Sequence, residues 1–182
     1  QIEQAQSLLK QSLQIRREVG NRRGECRVLV DLGDIDMSQG NITQAKDLYE
    51  QALQILRTIE PGWREARPLK KLGDTFHALH QKEEALAYYK EGLVICRRVK
   101  NRWEECTLLF KIGVLYLEQT SYETALAFFL LAKAISEEIQ HTNSKEIQEK
   151  IALIRMQMGE ESFRQMLSQG EAHAVRVTEQ VL

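Results

Sequence analysis

The segment LGDIDMSQGNITQAKDLYEQALQIL, from Leu32 to Leu56, decides the fold because its pattern returns twice more along the chain. A glycine, an alanine and an aromatic residue recur at intervals of 40 residues. The recurring residues are Gly33, Gly73 and Gly113, then Ala5, Ala45, Ala85 and Ala125, and finally Tyr49, Tyr89 and Phe129. A fixed period of this size is typical of stacked copies of one supersecondary unit.

Each copy contains two helical patterns. In the first copy, one helical face carries Cys26, Leu29, Leu32 and Gly33, and Gly40-Asn41 ends that pattern. A second amphipathic face follows, at i, i+4, i+7, i+8 and i+11, with Ala45, Tyr49, Ala52, Leu53 and Leu56. No segment shows strand-like alternation. We therefore predict an all-α fold of antiparallel helix pairs, and we name the two helices of each unit A and B.

The period divides the chain into repeats and a C-terminal segment. Residues 1–20 match helix B alone, full repeats cover about 21–60, 61–100 and 101–140, and 141–182 is predicted to form capping helices. Because a lone helix B leaves one face uncovered and the sequence begins without Met, we expect a fragment of a longer protein with further repeats upstream. Exposed end repeats also predict self-association, in which the terminal Val181-Leu182 could take part.

The C-terminal segment keeps helical patterning after the 40-residue register fades. Ile147, Ile151, Ile154 and Met158 share one face, and two short helices are predicted around Gly159 and Gly170. A solenoid needs a terminal cap that covers its last apolar face. We therefore expect these helices to cap the last repeat.

Several local signals set the predicted helix ends. Asn41 and Ser121 are expected to begin B helices, and Pro61-Gly62 is expected to separate two repeats. Pro68 leaves two alternatives. If its helix begins near Trp63, Pro68 bends that helix, whereas a later start places Pro68 in the first turn.

Composition excludes some classes of partner. The 182 residues carry 25 basic and 26 acidic side chains, so a net charge of −1 gives no general attraction to nucleic acid or anionic membrane. No apolar run approaches the ~20 residues of a membrane-spanning helix. Three cysteines do not make a disulfide framework. We expect a reducing, cytoplasmic setting.

Candidate chemistry is sparse. His77 and His80 share one helix with Asp74 and could bind a metal ion, but a solvated helix face is the favoured interpretation because no recognised metal motif surrounds them. Cys26 and Cys106 occupy the repeat position of Ala66, which indicates small-residue packing. There is no phosphate-binding glycine motif and no nucleophile signature. We predict no cofactor, no metal and no catalytic residue.

The pattern L-G-x-x-(aromatic) followed by A-x-x-x-(aromatic)-x-x-A resembles the tetratricopeptide repeat, whose unit is a helix–turn–helix of ~34 residues. The 40-residue units are similar to the long repeats in C-terminal sensor regions of bacterial signalling ATPases and regulators. The resemblance implies a right-handed α-solenoid. Two residues depart from the pattern: Asp36 stands where an aromatic is usual and Gly92 stands where Ala is usual. We expect the first repeat to be locally looser.

In this family the A helices line a concave groove, and the resemblance implies that four positions per repeat face it. These are Arg27, Val30, Asp34 and Met37, then Arg67, Lys70, Asp74 and His77, and finally Thr107, Phe110, Val114 and Leu117. We expect them to be dispensable for repeat packing. Phe110, Val114 and Leu117 form an apolar stripe that is either open to a ligand or covered by C-terminal helices.

The resemblance predicts a non-catalytic module that binds a protein or peptide in this groove, within a larger bacterial signalling protein. A segment with an acidic end and an apolar end would suit the groove residues. A free-standing adaptor that bridges two protein partners is an alternative. A metal protein or enzyme that uses His77 and His80 is a weaker one. No nucleic-acid or membrane partner is predicted.

Overall fold

A computed structural model of the chain describes residues 2–59, 62–168 and 170–181, and every element in these ranges is helical. No helix there is both long and apolar enough to cross a membrane. The predicted separator Pro61 and the terminal Leu182 lie outside the described residues. The helices are α1 (Ile2–Glu18), α2 (Arg22–Ser38), α3 (Ile42–Ile59), α4 (Ala66–Ala78), α5 (Lys82–Arg98), α6 (Arg102–Glu118), α7 (Tyr122–Ile139), α8 (Ser144–Met158), α9 (Glu160–Ser168) and α10 (Gly170–Val181).

The chain forms two compact units, Gln1–Ile95 and Cys96–Leu182, whose boundary falls in the last turn of α5. In the first unit, α1 and α3 pack on α2, and α3 also packs on α4. In the second unit, α6 and α7 form one helical hairpin, and α8 and α10 both pack on α7. The fold is an α-solenoid of A–B helical hairpins, as predicted. The right-handed superhelix stays a prediction.

A glycine and an aromatic ring are matched within each hairpin. A Cβ atom added to Gly33 would lie 2.5 Å from Cε1 of Tyr49, and one added to Gly113 would lie 2.7 Å from Cε1 of Phe129. An added Cβ on Gly73 would meet the Tyr89 ring in the same way. Each ring therefore lies against the glycine of its own hairpin, where helix A lacks a side chain.

Helix ends recur every 20 residues. Left-handed backbone conformations occur at Gly20, Gly40, His80, Lys100, Thr120 and Gln140. The residue that follows each of these left-handed residues donates its backbone N–H to the carbonyl oxygen five residues earlier. Asn21 donates to Arg16 in this way, and Ser121 donates to Tyr116. This is the Schellman arrangement, which satisfies the last helical carbonyls. Helices A and B therefore have nearly equal lengths.

The local signals for helix starts are confirmed in part. Helices α3 and α7 begin directly after Asn41 and Ser121, but the Ser121 side chain makes no capping bond. A 3₁₀ turn spans Trp63–Glu65, and α4 begins at Ala66. Pro68 therefore lies in the first turn, where no helical N–H bond is lost. The later helix start is the correct alternative.

The C-terminal helices cover α7. Leu126, Ala127 and Phe128 are consecutive and almost fully buried, which an amphipathic helix does not allow unless neighbours lie on several sides. The predicted apolar face of α8 is confirmed at Ile147 and Ile154, both 0% exposed. Helix α10 contributes small buried side chains at Ala174 and Thr178. Packing of α8 and α10 on α7 accounts for the uninterrupted apolar run at 125–132.

We expect Gly33→Ala to lower the free energy of unfolding by about 1–3 kcal/mol, because the new Cβ would overlap the Tyr49 ring. Gly24→Ala is the control in the same helix, since its Cβ would meet only the flexible end of Arg16. Alanine favours a helix by about 1 kcal/mol over glycine, so this control should be neutral or stabilising. Urea unfolding followed by circular dichroism measures both. Equal losses at the two positions would contradict the expectation.

We expect Thr120→Gly to raise the free energy of unfolding by about 0.5–1 kcal/mol, because a β-branched residue at φ 58° is strained. Gly40 occupies the same repeat position at φ 79°. The reverse change, Gly40→Thr, should cost about 1–2 kcal/mol. Thermal melts of both variants measure these changes. A melting temperature for Thr120→Gly below that of the parent protein would contradict the expectation.

Candidate functional site

The twelve predicted groove positions differ in exposure. Arg27 and Arg67 are exposed and eight others are partly exposed. Val30 and Phe110 are buried, at 3% and 7% exposure. The Phe110 ring lies 5.6 Å from that of Phe129, so it packs inside its own hairpin. The apolar stripe, for which the sequence left open whether it is exposed or covered, is therefore closed at Phe110, and neither buried side chain is available to a ligand in this structure.

Two acidic groove positions take part in packing, contrary to the expectation that the groove residues are dispensable. The Tyr49 hydroxyl donates to Asp34 Oδ1 at 2.7 Å, and Tyr89 donates to Asp74 Oδ1 at the same distance. A buried phenol needs such an acceptor. In the third hairpin Val114 and Phe129 replace both partners together, which removes donor and acceptor at once.

Asp34 is also an electrostatic link between A helices. Arg67 Nη2 on α4 lies 2.8 Å from Asp31 Oδ1 and 3.1 Å from Asp34 Oδ2, and Lys71 Nζ lies 2.9 Å from Asp34 Oδ1. Burial raises the pKa of Asp34, but hydrogen bonds from Lys71 and Tyr49 outweigh burial and leave the pKa below its ordinary value. The side chain of Arg67 is thereby held on α2 while 45% of it stays exposed.

A second set of charged residues was missed by the sequence analysis. Glu25, Glu65 and Glu105 are buried at 2%, 7% and 6% exposure. Each pairs with an arginine eight residues earlier, at the end of the preceding B helix. The arginines are Arg17, Arg57 and Arg97, and the N–O distances are 2.8, 3.4 and 3.2 Å. The 40-residue spacing of both residue types was the available signal.

Trp63 and Trp103 form another recurring position that the sequence analysis missed. They are 57% and 46% exposed and stand one turn before Arg67 and Thr107. The Arg64 guanidinium lies 4.4 Å from the centroid of Trp63. Large exposed aromatic side chains are common at recognition surfaces. Each tryptophan lies four residues before a predicted groove position of its own unit, so each is a candidate contact residue of that unit.

Asp36 replaces an aromatic residue without leaving a gap at the surface. At the equivalent positions, Phe76 stacks on Tyr88 at 5.2 Å and Tyr116 on Phe128 at 5.7 Å. Asp36 itself is 7% exposed and accepts a bond from Gln6 Nε2 at 3.2 Å. The first hairpin thus exchanges a ring stack for a polar contact to α1. Whether that repeat is looser stays a prediction.

In the second unit, the surface near Thr107 is built around a buried histidine. His141 Nε2 lies 3.2 Å from Thr107 Oγ1, and its Nδ1 accepts the Asn143 N–H at 3.1 Å. The ring centroids of Trp103 and His141 lie 4.1 Å apart. Thr107 is therefore engaged in joining α6 to the α7–α8 turn. Val114 and Leu117 remain partly exposed on α6.

The residues considered for metal or redox chemistry are two histidines at the end of α4 and three buried cysteines. His77 is in the last turn of α4, whereas His80 follows the helix in a left-handed conformation. Within the described ranges, no group of three or more His, Cys, Asp or Glu could hold a metal ion. Cys26, Cys96 and Cys106 are free and buried. Burial raises the pKa of Cys26 and Cys106 to about 11, which disfavours the reactive thiolate.

The sequence matches a family model described as tetratricopeptide repeat, over residues 1–58 and 25–98. Together these matches cover residues 1–98, more than half of the chain. No curated protein matches the sequence at a significant level.

Solved structures share the fold at low sequence identity. BtubC (BKLC) from P. vanneervenii matches with a TM-score of 0.78 at 19% identity, over 99% of this chain and 74% of its own. The STAND protein PH0952 from Pyrococcus horikoshii, which has a tetratricopeptide repeat sensor, matches at 0.79 and 18% identity, over 100% and 28%. A Rap protein in complex with Competence and Sporulation Factor matches at 0.74 and 16% identity, over 98% and 51%.

The Asp34 contacts predict an acid-sensitive contribution to stability. Because the folded pKa of Asp34 is lowered, its contribution is present above the ordinary pKa of about 3.9 and is lost as pH falls through the folded value. We expect Asp34→Asn to cost about 1 kcal/mol at neutral pH. The difference from the parent protein should shrink below about pH 4.

Urea unfolding from pH 7 to pH 2.5 measures this difference. Asp47→Asn, on the exposed side of α3, is the control and should show no such pH dependence. A constant difference between Asp34→Asn and the parent across this range would rule out a carboxylate role.

Proposed function

Because the chain belongs to the tetratricopeptide repeat family, we propose that it is a non-catalytic interaction module that binds a protein or peptide segment on its A helices. The family match and the similarity to a Rap protein solved with Competence and Sporulation Factor support this proposal.

The proposed surface in the first unit combines cations with an aromatic side chain. Arg27 is exposed on α2, and Arg67 and Lys70 extend from α4. The contact of Arg67 with Asp31 and Asp34 holds its guanidinium in one orientation before a ligand arrives. Pre-organised arginine loses less conformational entropy on binding. This fixed, half-exposed arginine beside the exposed Trp63 is the observation that carries the proposal.

The acidic groups on this surface are already occupied. Asp34 and Asp74 accept tyrosine hydroxyls, and Asp34 also pairs with Arg67 and Lys71. The ligand class that this balance favours is an acidic segment rather than a basic one. Met37 and His77 lie at the other end of α2 and α4, where an apolar side chain would fit better than a carboxylate.

In the second unit, the proposed contact residues are Val114 and Leu117, with Trp103 as an exposed aromatic neighbour on α6. Thr107 contributes through its bond to His141 rather than as a free hydroxyl. Val30 and Phe110 are left out of the proposed surface because they are buried. Taken by itself, this unit favours an apolar ligand segment.

We further propose that the module acts as the partner-sensing part of a larger cytoplasmic signalling protein. The similarity to PH0952, of which this chain covers 28%, supports that context. An ATPase or DNA-binding domain encoded in the same reading frame would support it. A reading frame limited to these repeats would instead favour the adaptor alternative.

The acidic-ligand proposal is tested with a short fluorescein-labelled peptide rich in Asp and Glu that also contains one Leu and one Phe. We expect the double variant Arg27→Ala, Lys70→Ala to weaken binding at least about tenfold, which is 1.4 kcal/mol. Arg67 is kept because its loss would also break the link to Asp31 and Asp34.

Fluorescence anisotropy measures the affinity, and Lys145→Ala, with an 89% exposed side chain on α8, is the matched control. A second peptide carries Asn and Gln in place of Asp and Glu. We expect the parent protein to bind this neutral peptide no more tightly than the double variant binds the acidic peptide. Equal affinity for both peptides, or for both protein variants, would overturn the acidic-ligand proposal.

A further inference from the structure

Two arginines occupy the same repeat position in the first unit. Arg27 lies on α2 and Arg67 lies on α4, which are successive A helices of that unit, and both side chains are exposed. In the third repeat the equivalent residue is Thr107, whose hydroxyl is engaged with His141. A pair of guanidinium groups at this position is therefore a feature of the first unit.

The contact of Arg67 with α2 brings its guanidinium group close to Arg27. Arg67 Nη2 lies 2.8 Å from Asp31 Oδ1. Asp31 follows Arg27 by four residues on α2. Side chains at this spacing are neighbours on a helix surface, with Cβ atoms about 5–6 Å apart. One small anion can therefore contact both guanidinium groups.

Both arginines keep N–H donors for a ligand. Arg67 donates from Nη2 to Asp31 and to Asp34, and so uses two of its five N–H donors. The remaining donors, at Nη1 and Nε, make no bond to a residue in the described ranges. Arg27 likewise forms no hydrogen bond or ion pair with the residues that the structure describes, although Asp31 is one turn away.

The charge balance around the pair favours a doubly charged anion. On this part of α2 and α4, four cationic side chains stand beside two acidic ones. They are Arg27, Arg67, Lys70 and Lys71, with Asp31 and Asp34. Both aspartates are already paired, since Arg67 contacts both and Lys71 Nζ lies 2.9 Å from Asp34 Oδ1. One turn outside this set, Arg23 and Asp74 carry opposite charges. About two positive charges therefore remain for a ligand.

We propose that the segment bound on this surface carries a phosphate monoester, such as phosphoserine, which Arg27 and Arg67 bind together, a step that rests on the proposed function. A phosphate monoester has about −1.5 to −2 charge at neutral pH and three acceptor oxygens. A carboxylate has one charge and two oxygens, which a single guanidinium group satisfies. Guanidinium groups that reach the ligand from two helices therefore match a phosphate better than a carboxylate.

A phosphorylated protein segment suits this surface better than a nucleic acid does. Nucleic-acid binding relies on several phosphate contacts along a strand. The chain as a whole has a net charge of −1, so the positive excess at Arg27 and Arg67 is local. A single phosphorylated side chain needs only one such cluster, and the exposed Trp63 ring beside it can contact an apolar neighbour of the phosphate in the same segment.

Three fluorescein-labelled peptides of one sequence test the proposal by fluorescence anisotropy. The sequence is rich in Asp and Glu, contains one Leu and one Phe, and has Ser, Glu or phosphoserine at its centre. We expect the phosphoserine peptide to bind the parent protein at least about tenfold more tightly than the Glu peptide. Arg27→Ala should reduce this ratio to about twofold or less, because one guanidinium group then remains.

Arg98→Ala is the matched control, since it removes an exposed arginine from the helix B α5 and should leave the ratio unchanged. The circular dichroism spectrum of Arg27→Ala should equal that of the parent, because Arg27 pairs with none of the described residues. An Arg27→Ala variant that keeps the tenfold ratio would overturn the role of the arginine pair.

The peptide series separates failure of this proposal from failure of the proposed function. Equal binding of the Glu and phosphoserine peptides, both tighter than the neutral Asn and Gln peptide, would rule out phosphate selection and leave the acidic-ligand proposal standing. If neither bound more tightly than the neutral peptide, both proposals would be wrong. A labelled DNA oligonucleotide that bound as tightly as the phosphoserine peptide would overturn the choice of a protein segment.

Discussion

The close approach of an aromatic ring to a glycine is the contact on which each hairpin depends. Because the ring of Tyr49, Tyr89 or Phe129 occupies the space of a missing side chain, it fixes how near helix B comes to helix A. The flanking alanines at 45, 85 and 125 are fully buried as a result. Packing at this density leaves little freedom for another rotamer or register.

Charged side chains form ion pairs that link successive helices of the packed structure. The buried Glu25, Glu65 and Glu105 each meet an arginine from the preceding B helix, and so connect one helix to the next within a unit. In each pair the glutamate is buried and the arginine is partly exposed, so desolvation of the carboxylate offsets part of the attraction. In this chain they recur with the repeat, whereas the link from Arg67 to Asp31 and Asp34 occurs in the first unit.

The fold followed from the sequence more closely than the candidate surface did. Glycine, alanine and aromatic residues at a constant interval predicted the helical hairpins, and Gly40-Asn41 predicted the end of the first helix A. The register also placed Val30 and Phe110 toward solvent, but both are buried, and the Phe110 ring packs on Phe129 of its own hairpin, a contact that helical periodicity alone does not predict. The role of Asp34 was missed because the tyrosine hydroxyl that reaches it belongs to a residue 15 positions away on another helix.

The joint change from Asp and Tyr to Val and Phe in the third hairpin has an evolutionary consequence. Residues 34, 74 and 114 face the candidate surface, yet each is matched to a ring in the core. Replacing the aspartate alone would leave a buried phenol without its acceptor, so these positions are constrained to change as pairs. When ligand preference diverges at a surface position of this kind, the matched ring residue in the core changes with it. The two positions are therefore expected to covary, although no ligand contacts the buried ring.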